Sequence, residues 1–391
     1  GTAPDARQAI TSANQLPRVA IALPVLPSEL FMLEPARLAS LVEALQASIA
    51  DENRRYAVSD RSTLDGISSA RLTLAMLRGD WAAVPPLIDG QRARQDKPAA
   101  RATTALLAAT VAAARAGGGD LAAQRERFAQ ALAAQLAPMR WDEVGNTLRS
   151  LKGSLEINNP VVTIAGVRSR LDPVARNNAM QLDRGSVAGV LAQRNFIDNV
   201  LPFREQAVAA LAAYIARHDE PIADTWTPRT FALRPDAPAM PVVVAVWDSG
   251  ADPALFKMAT PLAGIGFDRE NRREPGLLMP LGEFAAEWPR VQHLMRGARD
   301  VQANLDSPAA SAYRRHFAAL QAEDVQPFQE LMRLGGQYYH GTHVAGIAVE
   351  GNPFARVFAA RITFNWRTEP LPITDERRER AQAANREMVA A

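Results

Sequence analysis

The stretch Val242-Val-Val-Ala-Val-Trp-Asp-Ser-Gly-Ala-Asp252 decides the fold class of this chain. A short, continuous apolar run, Val242–Val246, follows Pro241 and precedes a turn-forming Asp-Ser-Gly sequence. Such a run is typical of a buried parallel strand, and this one would deliver Asp248 at its carboxyl end. Gly250 allows the backbone to leave the strand sharply. Because ligands of open α/β sheets bind outside the carboxyl ends of the strands, Asp248 is a candidate functional residue.

A second informative stretch, His340-Gly-Thr-His-Val-Ala-Gly-Ile-Ala348, lies downstream, with its first histidine 92 positions after Asp248. The preceding Gly335-Gly-Gln-Tyr-Tyr339 predicts a loop, so we expect a helix to begin at His340. The apolar side of this helix is predicted to hold Val344, Ile347 and Ala348.

Two glycines of the same stretch, Gly341 and Gly346, are poor helix formers. Each costs a helix about 1 kcal/mol relative to alanine. Residues that weaken a helix are easier to understand where the backbone must approach another element closely. We therefore expect the helix to pack against a neighbouring element at these two positions.

Together the two stretches resemble the aspartate and histidine blocks of subtilisin-like serine peptidases, in the same chain order. The resemblance implies acyl transfer by an Asp-His-Ser triad. His340 would take the proton from a serine hydroxyl and return it to the leaving amine. Asp248 would hold the imidazole in the working tautomer and stabilise its protonated form. The resemblance gives His343 a structural role as a packed neighbour of the base.

Other interpretations of the same residues were considered. An Asp-Ser-Gly sequence alone is a common turn, so the assignment of Asp248 depends on the histidine block. His340 and His343 could in principle supply half of a metal site. The chain has no cysteine, however, and no third ligand stands at a suitable spacing. The sequence therefore predicts no cofactor, and a structural calcium ion is left open.

The serine block of the family has no counterpart between His340 and Ala391. We therefore expect the nucleophile and the oxyanion-hole asparagine to lie beyond this segment, because the chain is truncated, nicked or continued by further residues. A C-terminal fragment that carries the serine is accordingly an expected partner. Gly185-Ser-Val-Ala-Gly189 weakly resembles a serine block, but it precedes the aspartate in the chain. Ser186 is better explained as the N-cap of a following helix.

The predicted fold class is α + α/β. Residues 1–220 are expected to form a mainly helical N-terminal domain, and residues 221–241 a proline-rich linker. Residues 242–391 resemble the N-terminal portion of a subtilisin-like parallel sheet domain. A charged insertion at about 260–334 would interrupt it, either decorating the surface or shaping access of the substrate.

Helical periodicity supports the N-terminal assignment. One predicted helix face holds Leu121, Phe128, Leu132 and Leu136. Short strands are predicted at Val19–Leu23 and Val161–Ile164. Helical arrays commonly present binding surfaces, so we expect this domain to bind a partner or substrate, with intramolecular regulation as the second hypothesis.

Three further elements are predicted in the C-terminal half. Two helices are expected within the insertion, around Leu281–Met295 and Ser311–Met332. Ala355–Thr363 resembles the next parallel strand of the family. Thr374-Asp-Glu opens a charged helix, with acidic residues in its first turn where they favour the helix dipole.

Composition limits the classes of function. A net charge of +2 gives no case for nucleic acid or anionic membranes as partners, and no run approaches the roughly 20 apolar residues of a membrane span. The start at Gly1-Thr-Ala, without Met, suggests removal of a signal peptide, and a secreted or periplasmic location is expected. Two functions are therefore considered: a serine endopeptidase acting on peptides or proteins, and a non-catalytic subtilisin-like scaffold or binding protein with a helical interaction domain.

Overall fold

The computed structural model describes residues 7–218, 227–256, 263–369 and 371–391. Its architecture mixes a mainly helical part with an α/β part that contains a small parallel sheet. The chain divides into two compact units. The first consists of Gly1–Glu220, Val301–Leu305 and Arg314–Ala322, and the second consists of Pro221–Asp300, Asp306–Tyr313 and Glu323–Ala391.

The division after residue 220 falls at the beginning of the proline-rich segment. The first part of the predicted linker, residues 221–226, lies outside the described residues. From residue 227 to Pro241 the chain is irregular apart from the short 3-10 turn Thr227–Arg229. Two short segments near residues 301–322 belong to the first unit although they lie far along the sequence.

Helices build most of the first unit. They are α1 (Pro35–Arg55), α2 (Arg61–Leu77), α3 (Val84–Ala93), α4 (Pro98–Thr103), α5 (Leu106–Ala116), α6 (Leu121–Leu136), α7 (Trp141–Ile157), α8 (Pro160–Arg170), α9 (Asp172–Asn177), α10 (Arg184–Asn195) and α11 (Arg204–His218). Two short strand pairs accompany them: β1 (Gln8–Ile10) pairs with β3 (Tyr56–Val58), and β2 (Ala20–Ala22) pairs with β4 (Gln181–Asp183).

Two apolar clusters hold the first unit together. In one, helices α5, α6, α7 and α11 meet around Phe128 and Phe203, whose rings stack with their centroids 4.8 Å apart. In the other, α1, α2 and α10 pack together with β2. The predicted face of α6 is confirmed at three positions, since Phe128, Leu132 and Leu136 are buried, whereas Leu121 is exposed.

The structure confirms one of the two short strands predicted in this region and contradicts the other. Val19–Leu23 contains β2, as expected. Val161–Ile164 lies in α8, because Asn159 caps that helix and Pro160 occupies its first turn. The side chain of Asn159 accepts a hydrogen bond from the main-chain nitrogen of Val161 at 2.9 Å. A cap and a proline at the first turn outweigh the strand preference of this β-branched run.

The second unit is organised around a three-stranded parallel sheet. Its strands are β5 (Val242–Asp248), β6 (Ala263–Phe267) and β7 (Ala355–Ile362), in the order β5-β7-β6. The helices of the C-terminal half are α12 (Trp288–Gln302), α13 (Pro308–Ala318), α14 (Ala322–Val349) and α15 (Asp375–Ala390). The predicted strand at Ala355–Thr363 and the helix after Thr374 are confirmed, and Thr374 caps α15 through its side chain.

Helices pack against both faces of this sheet, although one face of β5 stays exposed. On one face, Val246 of β5 and Ala359 of β7 pack against Ala345 of α14. On the other, β6 and β7 pack against Ala384 and Met388 of α15. Within the described residues, no helix has the length and apolar character needed to cross a membrane.

Two sequence expectations for the second unit are wrong. The segment Gly335–Tyr339 is not a loop, because α14 begins at Ala322 and continues through His340. The proposed insertion at about 260–334, of which residues 260–262 lie outside the described part, does not merely decorate the surface, because it supplies β6 to the sheet. The two helices predicted within it are present as α12 and α13 with shifted bounds, while the residues up to Met332 belong to α14.

Candidate active site

The predicted convergence of Asp248 and His340 is confirmed. Asp248 is the last residue of β5, and His340 lies in the third quarter of α14. Oδ1 of Asp248 and Nδ1 of His340 are 2.7 Å apart, within hydrogen-bonding distance. The side chain of Asp248 is 17% exposed and that of His340 is 66% exposed, so that the carboxylate is sheltered and the imidazole faces solvent.

The next residues of the two sequence blocks also contact one another. The main-chain nitrogen of Gly341 donates a hydrogen bond to Oγ of Ser249 at 3.1 Å. Oγ1 of Thr342 accepts a hydrogen bond from the main-chain nitrogen of Asp252 at 3.0 Å. Three consecutive residues of α14 thus hold the turn that follows β5. The two sequence blocks therefore meet in a single continuous contact between a helix and a turn.

Ser249 connects the turn to the main chain of the helix. Its hydroxyl donates to the carbonyl oxygen of Gln337 at 2.5 Å and accepts from the nitrogen of Gly341. These two main-chain groups are four residues apart, so they are the pair that an α-helix normally joins directly. The hydroxyl therefore bonds to main-chain groups of α14 close to His340. Ser249 is only 1% exposed.

The environment of Asp248 favours its ionised form. Burial by itself would raise the pKa of this carboxyl, but hydrogen bonds from the Ser249 main chain and the His340 ring lower the pKa below its ordinary value. The Ser249 nitrogen lies 2.6 Å from Oδ1 of Asp248. Because an ionised carboxylate can only accept hydrogen bonds, it fixes Nδ1 of His340 as the donor. Nε2 of the neutral ring is then an acceptor.

The predicted buried side of the helix is wrong at several positions. His343 is exposed, so it is not the packed neighbour that the family resemblance implied. Ile347 is 61% exposed, whereas Gly341 and Ala345 are buried. Small residues form the contact because the helix backbone approaches the turn closely. The expectation of close packing is confirmed for Gly341 and wrong for Gly346, which has open space around it.

None of the described serine side chains contacts His340, whose ring makes its hydrogen bond to Asp248 alone among the described residues. The hydroxyl of Ser249 is occupied by the helix, as described above. Ser186 lies in the first unit, where its hydroxyl contacts Asp183. The prediction that Ser186 is an N-cap is wrong, because Asp183 caps α10 and accepts a hydrogen bond from the Ser186 nitrogen.

Sequence reasoning assigned no role to Ser249 and Thr342, although both stand inside the recognised blocks. A small hydroxyl residue within two positions of each functional residue was the available signal. The described residues contain no group of three or more His, Asp or Glu side chains arranged to hold a metal ion. No family model, curated protein or solved structure matches this chain.

Proposed function

We propose that the second unit supplies the aspartate and histidine of a subtilisin-like serine endopeptidase, which hydrolyses peptide bonds in peptide or protein substrates. The hydrogen bond between Asp248 and His340 carries the proposal. The carboxylate holds the ring with Nδ1 protonated, and Nε2 is free to accept the proton of a nucleophilic hydroxyl. His340 then returns that proton to the leaving amine, while Asp248 stabilises the imidazolium.

The nucleophile comes from a serine outside the residues described here, carried by a C-terminal fragment or further part of the protein. The open edge of β5 supports this part of the proposal. Within the described residues β5 pairs with β7 alone, and Val243 and Trp247 on its outer face are 68% and 49% exposed. An unpaired strand edge accepts another strand readily. A parallel strand added there would have its carboxyl end at the same edge of the sheet as Asp248.

Labelling with a fluorophosphonate, which reacts with activated serines, tests the proposal. Residues 1–391 alone are not labelled, because the covalent step needs a hydroxyl nucleophile. When the serine-bearing part is present, label appears on that part, and peptide hydrolysis appears with it. His340→Ala abolishes both, whereas His343→Ala retains both and serves as the matched control on the same helix.

Two results would contradict the proposal. Strong labelling of residues 1–391 alone would place the nucleophile within this chain, and Ser186 would be the first position to replace. Equal turnover of the assembled protein with and without His340→Ala would show that His340 is not the general base.

A non-catalytic binding or scaffolding protein is the alternative. One observation favours it: the first unit has a groove of about 330 Å³ between α1, α2 and α3. Apolar side chains, including Ile49, Leu74 and Leu87, line the groove together with Arg71 and Arg78. If this were the main function, Asp248→Asn and His340→Ala would leave binding of a partner unchanged, and no hydrolysis would accompany the assembled protein.

A further inference from the structure

We propose that Arg361 is a positioning residue for the pair Asp248–His340. It acts through the turn Ser249–Ala251 and through the segment Glu274–Leu278, which we name the brace. The catalytic consequence rests on the function proposed above, whereas the geometric consequence concerns the hydrogen bond between Asp248 and His340 and does not depend on it.

Arg361 lies beside the site, and its side-chain hydrogen bonds among the described residues go to Glu274 and not to Asp248 or His340. It occupies β7 directly opposite Asp248 in the register of the sheet, and its side chain is fully buried. Its aliphatic part packs under Gly250, since a Cβ atom built at Gly250 would lie 2.9 Å from Cδ of Arg361. Gly250 has a φ of 105°, a conformation that other residues rarely adopt. The shape of the turn after Asp248 therefore depends on both residues.

The charge of Arg361 is balanced by the brace. Nη2 of Arg361 donates to Oε2 of Glu274 at 2.6 Å. Within the described residues, Nε and Nη1 have no hydrogen-bond partner. A guanidinium cannot lose its proton in a protein, so the buried charge depends on the Glu274 carboxylate. This ion pair fixes one end of the brace to the strand that neighbours Asp248.

The other end of the brace is bonded to the turn itself. The main-chain nitrogen of Ala251 donates to the carbonyl oxygen of Leu277 at 2.8 Å, and Gly250 pairs with Leu278 as an isolated antiparallel bridge. The side chain of Leu277 packs in the cluster that contains Val246. Arg361 thus supports the turn directly, under Gly250, and indirectly, through Glu274 and the brace.

Loss of Arg361 would release both supports. The carboxylate of Asp248 and the hydroxyl of Ser249 would then be held less rigidly against α14, by the contacts with the helix alone. A displacement of about 1 Å in a catalytic group can cost about 100-fold in rate. Replacement of the buried Arg361 is therefore expected to slow the reaction by displacing Asp248. Lysine at the same position keeps the charge but lacks the guanidinium whose Nη2 bonds Glu274, so Arg361→Lys gives an intermediate effect.

The geometric test uses residues 1–391 and the ring of His340. Long-range ¹H–¹⁵N correlation spectra near pH 8, where an ordinary imidazole is neutral, report which ring nitrogen carries the proton. In the unmodified chain the Nδ1–H form predominates, because Asp248 accepts that proton. Arg361→Met shifts the ring toward the Nε2–H form, Arg361→Lys shifts it less, and Glu274→Gln shifts it in the same direction.

Arg194→Met is the matched control. Arg194 is a buried arginine of the first unit, and it donates to the carbonyl oxygens of Leu30 and Leu33. This variant leaves the His340 spectrum unchanged. If Arg361→Met fails to fold, as judged by circular dichroism, Arg361→Lys and Glu274→Gln decide the question. An unshifted spectrum in every folded variant overturns the proposal, as does an unmodified chain with its ring in the Nε2–H form.

An activity measurement separates this proposal from the proposed function. In the assembled peptidase, Arg361→Met lowers kcat about 100-fold with little change in KM. Absence of hydrolysis in the assembled, unmodified protein contradicts the peptidase assignment but leaves the spectroscopic result standing. Hydrolysis that is unaffected by Arg361→Met, together with an unshifted spectrum, contradicts the positioning role alone.

Discussion

A Cβ atom built at Gly341 would lie 2.1 Å from the carbonyl oxygen of Gly250. These two glycines mark a close approach between the helix that carries His340 and the turn that follows Asp248. Real side chains do not approach a main-chain oxygen so closely, and a main-chain atom cannot turn aside as the end of a flexible side chain can. Gly341 is therefore required for the contact that forms the site.

Gly341→Ala should destabilise the second unit by about 3 kcal/mol, at the upper end of the usual cost of overpacking. Gly346→Ala is the matched control, because it lies on the same helix and has nothing within 4 Å of its added Cβ. That variant should stabilise the helix by roughly 0.5–1 kcal/mol. Urea unfolding of both variants measures the difference, and similar effects at both positions would contradict the close approach.

Ser249→Ala should cost only about 1 kcal/mol, the usual net value of a hydrogen bond. The reason is that Gln337 and Gly341 of α14 can bond each other directly once the hydroxyl is removed. Ser249→Val should cost more, because its methyl groups would occupy the same position without offering hydrogen bonds. Thermal unfolding compares the two variants. A larger loss of thermal stability in Ser249→Ala than in Ser249→Val would show that the hydroxyl does not bond to the main chain of α14 as described.

The lowered pKa of Asp248 predicts a dependence of stability on pH. A carboxyl whose pKa is lower in the folded state stabilises the fold at pH values above its ordinary value of 3.8, and this stabilisation disappears as pH falls through the lowered folded pKa. The free energy of unfolding should therefore differ most between the unmodified chain and Asp248→Asn near neutral pH. Urea titrations from acid to neutral pH measure this difference, and a difference that grows on acidification would contradict the prediction.

Replacement of His343 should have little effect on folding. The residue is exposed, so His343→Ala should change the free energy of unfolding by no more than about 0.5 kcal/mol. Differential scanning calorimetry of His343→Ala and Gly341→Ala compares the stability of the two variants. A loss as large as that of Gly341→Ala would mean that His343 packs against another part of the protein.

The main features of the second unit could be predicted from local patterns. The apolar run of β5 and the cap at Thr374 carry strong signals, because each depends on neighbours in sequence. The convergence of Asp248 and His340 followed from the family resemblance. The strand, the cap and the convergence are confirmed. The expectation that β5 is buried is wrong, because β5 is an edge strand of the described sheet and most of its side chains are exposed.

The features that sequence reasoning missed depend on contacts between distant residues. Gly335 was interpreted as part of a loop, yet it lies in α14, where a Cβ atom would meet Val291 of α12 at 2.8 Å. The bulky residue Ile347 was placed on the buried side, but close packing selected the small residues on the other side of the helix. The role of Arg361 had no sequence signal, because its partner Glu274 lies 87 positions away in a segment of no recognisable pattern.

The open edge of β5 also has a consequence for how this chain behaves in concentrated solution. Among the described residues no strand pairs with the outer edge of β5, and Val243 and Trp247 beside it are exposed, so the same edge of a second copy can pair there. Residues 1–391 on their own should therefore self-associate increasingly as the protein concentration rises. Covering that edge would improve solubility, so the yield of soluble protein becomes a simple indicator of whether the sheet has been extended.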